Sequence, residues 1–321
     1  MKTRFTEMFG IKYPIVQGGM QNLGIPKFAS VVSNAGGMGT INITCYSSPE
    51  EFHEAVREMK SLTDKPFIVN ISLVPDLTKG DEIFKYIDVC IEEGVAAIET
   101  AGADPSRFIP RIKEGGIKLI HKTPNAKVAK SMERKGADVI TIAGYEVAGH
   151  PSMDGIGTMV IANKVASECN IPVLAAGGIA DGKGLAAALA LGCEGVVMGT
   201  RFVATTECPI SDNHKNWILE HTERDTLLIQ KSIKNMARVA NNMAAKLTLE
   251  MENRGTTLEE LMTVISGKLS RKAYQTGNVD GGLFAVGPAV GLINDVKPVQ
   301  QLLDDMVAEA EEVIDRIKKM F

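Results

Sequence analysis

Residues 171–201 read IPVLAAGGIADGKGLAAALALGCEGVVMGTR, and the order of their runs decides the fold. Val173–Ala176 is a short apolar run of the buried-strand type, stopped by Gly177-Gly178. An Ala/Leu-rich helix over 186–191 follows the turn Asp181-Gly182, and Gly195–Met198 is a second apolar strand, closed by Gly199-Thr200. Strand, glycine turn, helix, strand, glycine turn is one parallel β/α unit. Glycines just past two neighbouring strands let backbone N–H groups approach an anion with no Cβ in the way. The loops after strands seven and eight of a (β/α)8 barrel commonly hold a phosphate, so Gly177, Gly178, Gly199 and Thr200 form a candidate phosphate cradle. Residues 177–183 nearly spell the nucleotide loop GxxxxGK, but Gly184 stands where a Ser or Thr must hold magnesium. Tight turns alone would also use glycine pairs.

Toward the N-terminus the same unit recurs. Apolar strands are expected over 14–16, before Gln17-Gly18-Gly19-Met20, and over 38–44, after Gly36-Gly37. Further strands follow over 67–73, carrying Asn70 and Ser72, over 96–100, over 118–121 before Lys122, and over 139–142. Helical periodicity fills the intervals at 28–35, 49–62, 83–93, 107–114, 126–135 and 158–169. Eight short strands alternating with helices predict an α/β fold, a closed (β/α)8 TIM barrel. An open doubly wound sheet is the alternative, and the missing GxGxxG counts against its dinucleotide-binding form.

After Arg201 the pattern changes. The only tryptophan, Trp217, several methionines and helical stretches over 233–251 and 258–265 predict a mostly helical insertion beside the barrel mouth. Met236, Met243 and Met251 read as adaptable core packing. Val299, Leu302, Leu303, Met306, Val313, Ile314 and Ile317 share one face of a last helix that packs back on the barrel. The expected division is a barrel over 1–204, a helical substrate or lid domain over 205–282, and a C-terminal segment over 283–321. The 321 residues, 45% of them hydrophobic, suit one large domain with an insertion. A net charge of −4 gives no sign of a nucleic-acid partner. Five scattered cysteines without a CxxC pair point to a reducing, cytoplasmic setting rather than to disulfides or zinc. No signal-peptide core or membrane-length apolar run is present in the sequence, so no membrane partner is expected.

Working residues of a barrel enzyme sit at the C-terminal strand ends. That rule brings together Gly19, Met20, Asn70, Ser72, Lys122, His150 and the glycine cradle. The set is short of carboxylates, with no paired acids, metal-spaced cluster or GxSxG elbow. A phosphate cradle, one lysine and one histidine point to a cofactor that brings its own reactivity. Lys122 would place positive charge beside the part of a flavin that gains charge on reduction, unless it only snorkels at the rim. Asn70 and Ser72 would bond a ring edge or merely cap a strand end. His150, in the glycine-flanked loop GYEVAGHP (144–151), suits a general base, the alternative being an ordinary loop histidine.

These residues resemble the FMN-dependent nitronate monooxygenase family, formerly called 2-nitropropane dioxygenases, which includes bacterial NAD(P)H:quinone reductases and enoyl-ACP reductase II. The matching motifs are QGGMQ (17–21), SNAGGMGT (33–40), VNISL (69–73), HKT (121–123), GYEVAGH (144–150), AAGGIADG (175–182) and MGTRF (198–202). The match continues through ECPI (207–210) and AYQTGNVDGG (273–282). The resemblance implies non-covalent FMN, with Gly19, Met20, Asn70, Ser72 and Lys122 around its ring and ribityl chain and Gly149 beside the ring. Gly177, Gly178, Gly199 and Thr200 would hold the phosphate. His150 matches the active-site histidine, and Pro75 and Tyr274 would sit near the substrate entrance. The implied reaction is oxidation of alkyl nitronates by O2 to carbonyl compounds and nitrite. The alternative on the same FMN site is NAD(P)H:quinone reduction, with NADH or NADPH as co-substrate, and enoyl-ACP reduction stands behind it. The AGHP form of the histidine loop, Pro75 and ECPI resemble the quinone-reductase branch. Partners are then a small-molecule nitronate or quinone and O2. An exposed face of the insertion is open to a homodimer contact.

Overall fold

The computed structural model describes residues 1–73 and 80–321; Pro75 therefore lies outside the described residues. Each expected apolar run becomes a strand: β1 (Ile15–Gln17), β2 (Gly39–Asn42), β3 (Phe67–Leu73), β4 (Ala97–Gly102), β5 (Lys118–Thr123), β6 (Val139–Ala143), β7 (Val173–Ala176) and β8 (Gly195–Met198). All pair in parallel, in the order β1-β8-β7-β6-β5-β4-β3-β2. A Val16–Met38 bridge joins β1 to β2 and closes the ring. The fold is the TIM barrel.

Alternation along the strands sorts the side chains into two layers. Val16, Ile68, Ala97, Ile120, Val139, Leu174 and Val197 pack inside the barrel. Phe5, fully buried, joins them from a helix the sequence reading missed, α1 (Arg4–Phe9), contributing about 3 kcal/mol of apolar burial. A capping box of Thr3 with Thr6 starts α1, and Gly10 at φ +66° ends it. The alternate residues face the outer helices α2 (Pro26–Asn34), α3 (Pro49–Leu62), α4 (Glu82–Glu92), α5 (Ile109–Glu114), α6 (Ala126–Lys135), α7 (Thr158–Glu168) and α8 (Gly182–Ala190). Helix α8 starts earlier than its Ala/Leu run because Asp181 Oδ1 accepts the Gly184 N–H at 2.8 Å. His121, between Thr100 and the helices, bonds Thr100 Oγ1 at 2.9 Å, and burial pushes its pKa down to about 4.

A short turn of helix, α9 (Thr200–Val203), leads out of the barrel to α10 (Asp212–Glu220). The helix expected over 233–251 is corrected. Its first part is instead β10 (Ala237–Ala240), antiparallel to β9 (Thr226–Ile229), and only α11 (Met243–Asn253) is helical. All four residues of β10 are buried, and pairing with β9 overrides their helix-compatible composition. Met236 is buried as expected, whereas Met243 is 60% exposed and packs no core. Then come α12 (Leu258–Ile265), α13 (Gly267–Thr276) and α14 (Val299–Lys318). Val299, Leu302, Leu303 and Met306 are buried where α14 lies on α8, while Ile317 is 40% exposed beyond the contact. A Thr205–Lys297 bridge and the Arg201–Asp295 ion pair at 2.8 Å tie the exit and return of the chain together. Among the described residues, no helix is long and apolar enough to cross a membrane.

Candidate active site

The C-terminal strand ends open into a cavity of about 380 Å³. Of the residues singled out in the sequence, Gly19, Met20, Ser72, Lys122, Gly149, His150, Gly177, Gly178, Gly199, Thr200 and Tyr274 line it. Asn70 does not. It lies beneath Gly19, where a Cβ would fall 2.4 Å from its Cγ, and its Nδ2 donates to Glu99 Oε2 at 2.6 Å. Glu99, which no functional expectation used, is buried inside the barrel and also accepts from Thr141 Oγ1 at 3.4 Å. The barrel interior under the cavity is thus a hydrogen-bonded polar layer, and Asn70 serves as its upper member.

At the expected glycine cradle the members differ: Gly199 has an ordinary φ of −115° and room for a Cβ, whereas the Gly177-Gly178 pair does not adopt ordinary backbone. Gly177 and Gly178 sit at φ +106° and +72°, in the left-handed region open to glycine. A Cβ on Gly177 would come 2.9 Å from the Val147 backbone nitrogen and 3.0 Å from Thr158 Oγ1. The N–H groups of Gly178 and Gly199 have no backbone acceptor among the described residues. The Thr200 hydroxyl accepts the Gly287 N–H at 3.0 Å, which leaves its own proton to donate. By contrast, Lys183 turns away and pairs with Glu309 on α14 at 2.7 Å, so the GxxxxGK-like string is no nucleotide loop.

Lys122, on the inward face of β5, brings an ammonium to the cavity wall. His150 is exposed at the cavity, and the protein around it takes part of the ring's hydration. That loss of hydration, followed by the nearby Lys122 charge, holds its pKa below the ordinary imidazole value and keeps the ring neutral. The loop bearing it is built from both halves of the chain. Glu146 Oε2 accepts the Thr158 N–H and hydroxyl, each at 2.8 Å, which fixes the loop to α7. From β10, Arg238 exchanges backbone bonds with Gly149, at 3.0 and 2.6 Å. The Arg238 guanidinium donates to the Tyr145 carbonyl at 3.1 and 3.3 Å and lies 4.9 Å from the Tyr145 ring centre.

The far wall comes from the chain between β8 and α14: Gln230, Ile233 and Asn235 between β9 and β10, and Leu258, Met262 and Ile265 on α12. Sequence reading missed Gln230, Ile233 and Asn235 because it took the hairpin for the start of a helix; α12 was expected as a helix, but no local pattern set its apolar face on the cavity. The signal was present in two short runs, TLLI and ARVA, separated by a polar stretch. Tyr274, expected near an entrance, is a buried wall residue set edge-on to His214 and Phe284 at 5.2 and 6.0 Å. His214 is itself fully buried, bonded to Ser211 Oγ at 2.7 Å, and burial pushes its pKa down to about 4.

A model of the nitronate monooxygenase family matches residues 2–309. A (3aS,4S,5R,7aS)-5-hydroxy-7a-methyl-1-oxo-octahydro-1H-indene-4-carboxyl-CoA dehydrogenase from Rhodococcus jostii is 30% identical, covering 99% of this chain and 98% of its own. A probable nitronate monooxygenase from Staphylococcus saprophyticus is 29% identical, covering 98% and 99%. Among solved structures, FabK from Thermotoga maritima superposes with a TM-score of 0.93 at 37% identity over all of both chains. The chain belongs to the nitronate monooxygenase family and is an oxidoreductase of flavoenzyme type.

Proposed function

We propose that the chain is an FMN-dependent reductase that passes electrons from NADH or NADPH to the carbon–carbon double bond of an enoyl thioester. The observation that carries this reading is the two-sided cavity. Its barrel wall offers glycine amides, a hydroxyl and an ammonium to an anionic cofactor, and its inserted wall offers Ile233, Leu258, Met262 and Ile265 to an apolar chain. The end-to-end likeness to FabK, an enoyl-ACP reductase II, supports it, as does a CoA thioester in the name of the Rhodococcus relative.

FMN fits the donors present: the N–H groups of Gly178 and Gly199 and the Thr200 hydroxyl for the phosphate, and Lys122 for the electron-rich side of the ring. When bound it would supply a two-electron carrier between nicotinamide and acceptor. Lys122 stabilises negative charge in the barrel mouth. His150, kept neutral, has an N–H to donate to a thioester carbonyl and hold the conjugated double bond in place. The apolar wall excludes water from the acyl chain.

A second reading, oxidation of alkyl nitronates by O2, is favoured by the same neutral imidazole. Its lone pair at Nδ1 or Nε2 suits removal of the C–H proton of a nitroalkane. A quinone is the remaining acceptor. The test is a steady-state comparison with FMN-loaded protein: nicotinamide oxidation with crotonyl-CoA or with menadione, and nitrite release from propionate 3-nitronate in air. Nicotinamide consumption that depends on crotonyl-CoA is expected. Nitrite release without nicotinamide turnover would replace this reading with the second.

A further inference from the structure

The turn that forms part of the inserted wall is held in a conformation its residues do not favour. Between β9 and β10, Gln230 sits at φ +62° and Lys234 at φ +56°, both in the left-handed region that side chains rarely enter. Such backbone persists only where its surroundings enforce it. At Lys234 the N–H is held within the turn by the Lys231 carbonyl at 3.1 Å, whereas at Gln230 the enforcing group is one carboxylate, Glu252 near the end of α11. Its Oε2 accepts the Gln230 N–H at 2.7 Å, while its Oε1 accepts the Ser232 N–H at 2.9 Å and the Ser232 hydroxyl at 2.7 Å. Inside the turn, Asn235 donates its N–H to the Gln230 carbonyl at 3.1 Å and its Nδ2 to Gln230 Oε1 at 3.4 Å. Gln230, Ile233 and Asn235 then reach the cavity wall.

We propose that Glu252 is a positioning residue for acceptor specificity: it holds the 230–236 turn in the strained form that presents Gln230, Ile233 and Asn235 to the bound acceptor. This rests on the cavity being the acceptor site and is independent of which acceptor is natural. Three donors converge on the carboxylate, and a carboxylate is an acceptor at both oxygens. In Glu252→Gln an NH2 group would face one of those donors, so a change of a single heavy atom releases the turn. The cradle at Gly177, Gly178 and Gly199 lies on the barrel and is untouched by it.

The experiment compares the FMN-loaded wild type with Glu252→Gln by kinetics and by backbone amide hydrogen exchange. With crotonyl-CoA and NADH the variant should raise KM about tenfold and leave kcat within about twofold, the mark of lost uniform binding. Amides of residues 230–236 should exchange faster, those of β7 and β8 unchanged, and FMN affinity should be retained. Ser232→Ala, which removes one bond of the three, should move KM the same way by about threefold. Unchanged exchange in the turn would overturn the proposal, as would faster exchange with an unchanged KM. A variant that loses FMN affinity along with its KM would also overturn it, by showing general loosening. Should the wild type reject crotonyl-CoA, the function proposed above fails, and the same comparison is read with propionate 3-nitronate.

Discussion

The two walls of the cavity are built by different means. On the barrel side, Gly177, Gly178 and Gly199 stand immediately past strands locked on both edges by the parallel ladder, and backbone geometry alone places them. On the inserted side a short hairpin is held by two charged side chains, Arg238 to the histidine loop and Glu252 to the turn. A wall fixed by topology suits the constant part of a reaction, the cofactor. A wall fixed by a few side chains can be retuned by single substitutions, and so suits the variable part, the acceptor.

The largest expected effect falls where the walls meet. His150→Ala should lower kcat/KM about a thousandfold with FMN affinity retained, measured by steady-state kinetics and flavin-fluorescence titration. Because the ring's pKa is lowered, the neutral form persists as pH falls through 6.5, and the acid limb of kcat/KM should begin only below that value.

Acid stability compares the two regions directly. His121 belongs to the barrel and His214 to the insertion, and both are held near a pKa of about 4 against an ordinary 6.5. Below pH 6.5 the unfolded chain takes up protons that the folded one refuses, so stability is lost on acidification until pH reaches about 4. Each imidazole should account for about 3 kcal/mol of that loss. Thermal melts at stepped pH should show a flatter profile for His121→Asn and for His214→Asn. Equal flattening would mean that barrel and insertion unfold together, whereas flattening of only one transition would separate them.

Gly177→Ala should weaken FMN binding about a hundredfold, since its Cβ would strike the Val147 nitrogen from a left-handed backbone. Arg238→Ala, on the other wall, should lower kcat/KM about tenfold through the histidine loop, with FMN titration unchanged. Smallest of all, Lys183→Ala should shift stability by less than about 0.5 kcal/mol and leave FMN binding alone, because its pair with Glu309 is solvent-exposed.

Legibility in the sequence follows the same division. The barrel was readable because each strand is a short apolar run with its own glycine or polar stop, as in Val173–Ala176 with Gly177-Gly178. Even the inward direction of Lys122 and the outward one of His121 follow from period-two alternation along β5. The hairpin's signal, TLLI and ARVA about a polar stretch, is weaker than the helix propensity of Ala237, Arg238 and Ala240, and pairing with β9 is what makes them a strand. The burial of Asn70 under Gly19 depends on a close approach between β3 and the end of β1, two strands that are not sheet neighbours, which no local pattern records. The α1 plug was missed because six residues give too little periodicity to read.

Enoyl reduction at this cavity is tested most directly by an anaerobic half-reaction, following the flavin absorbance of FMN-loaded protein after mixing with NADH, NADPH or propionate 3-nitronate separately. If the chain is a nicotinamide-dependent enoyl reductase, at least one nicotinamide should bleach the flavin rapidly, and crotonyl-CoA added next should restore the absorbance. Inert nicotinamides, with spectral change on nitronate alone, would contradict that reading.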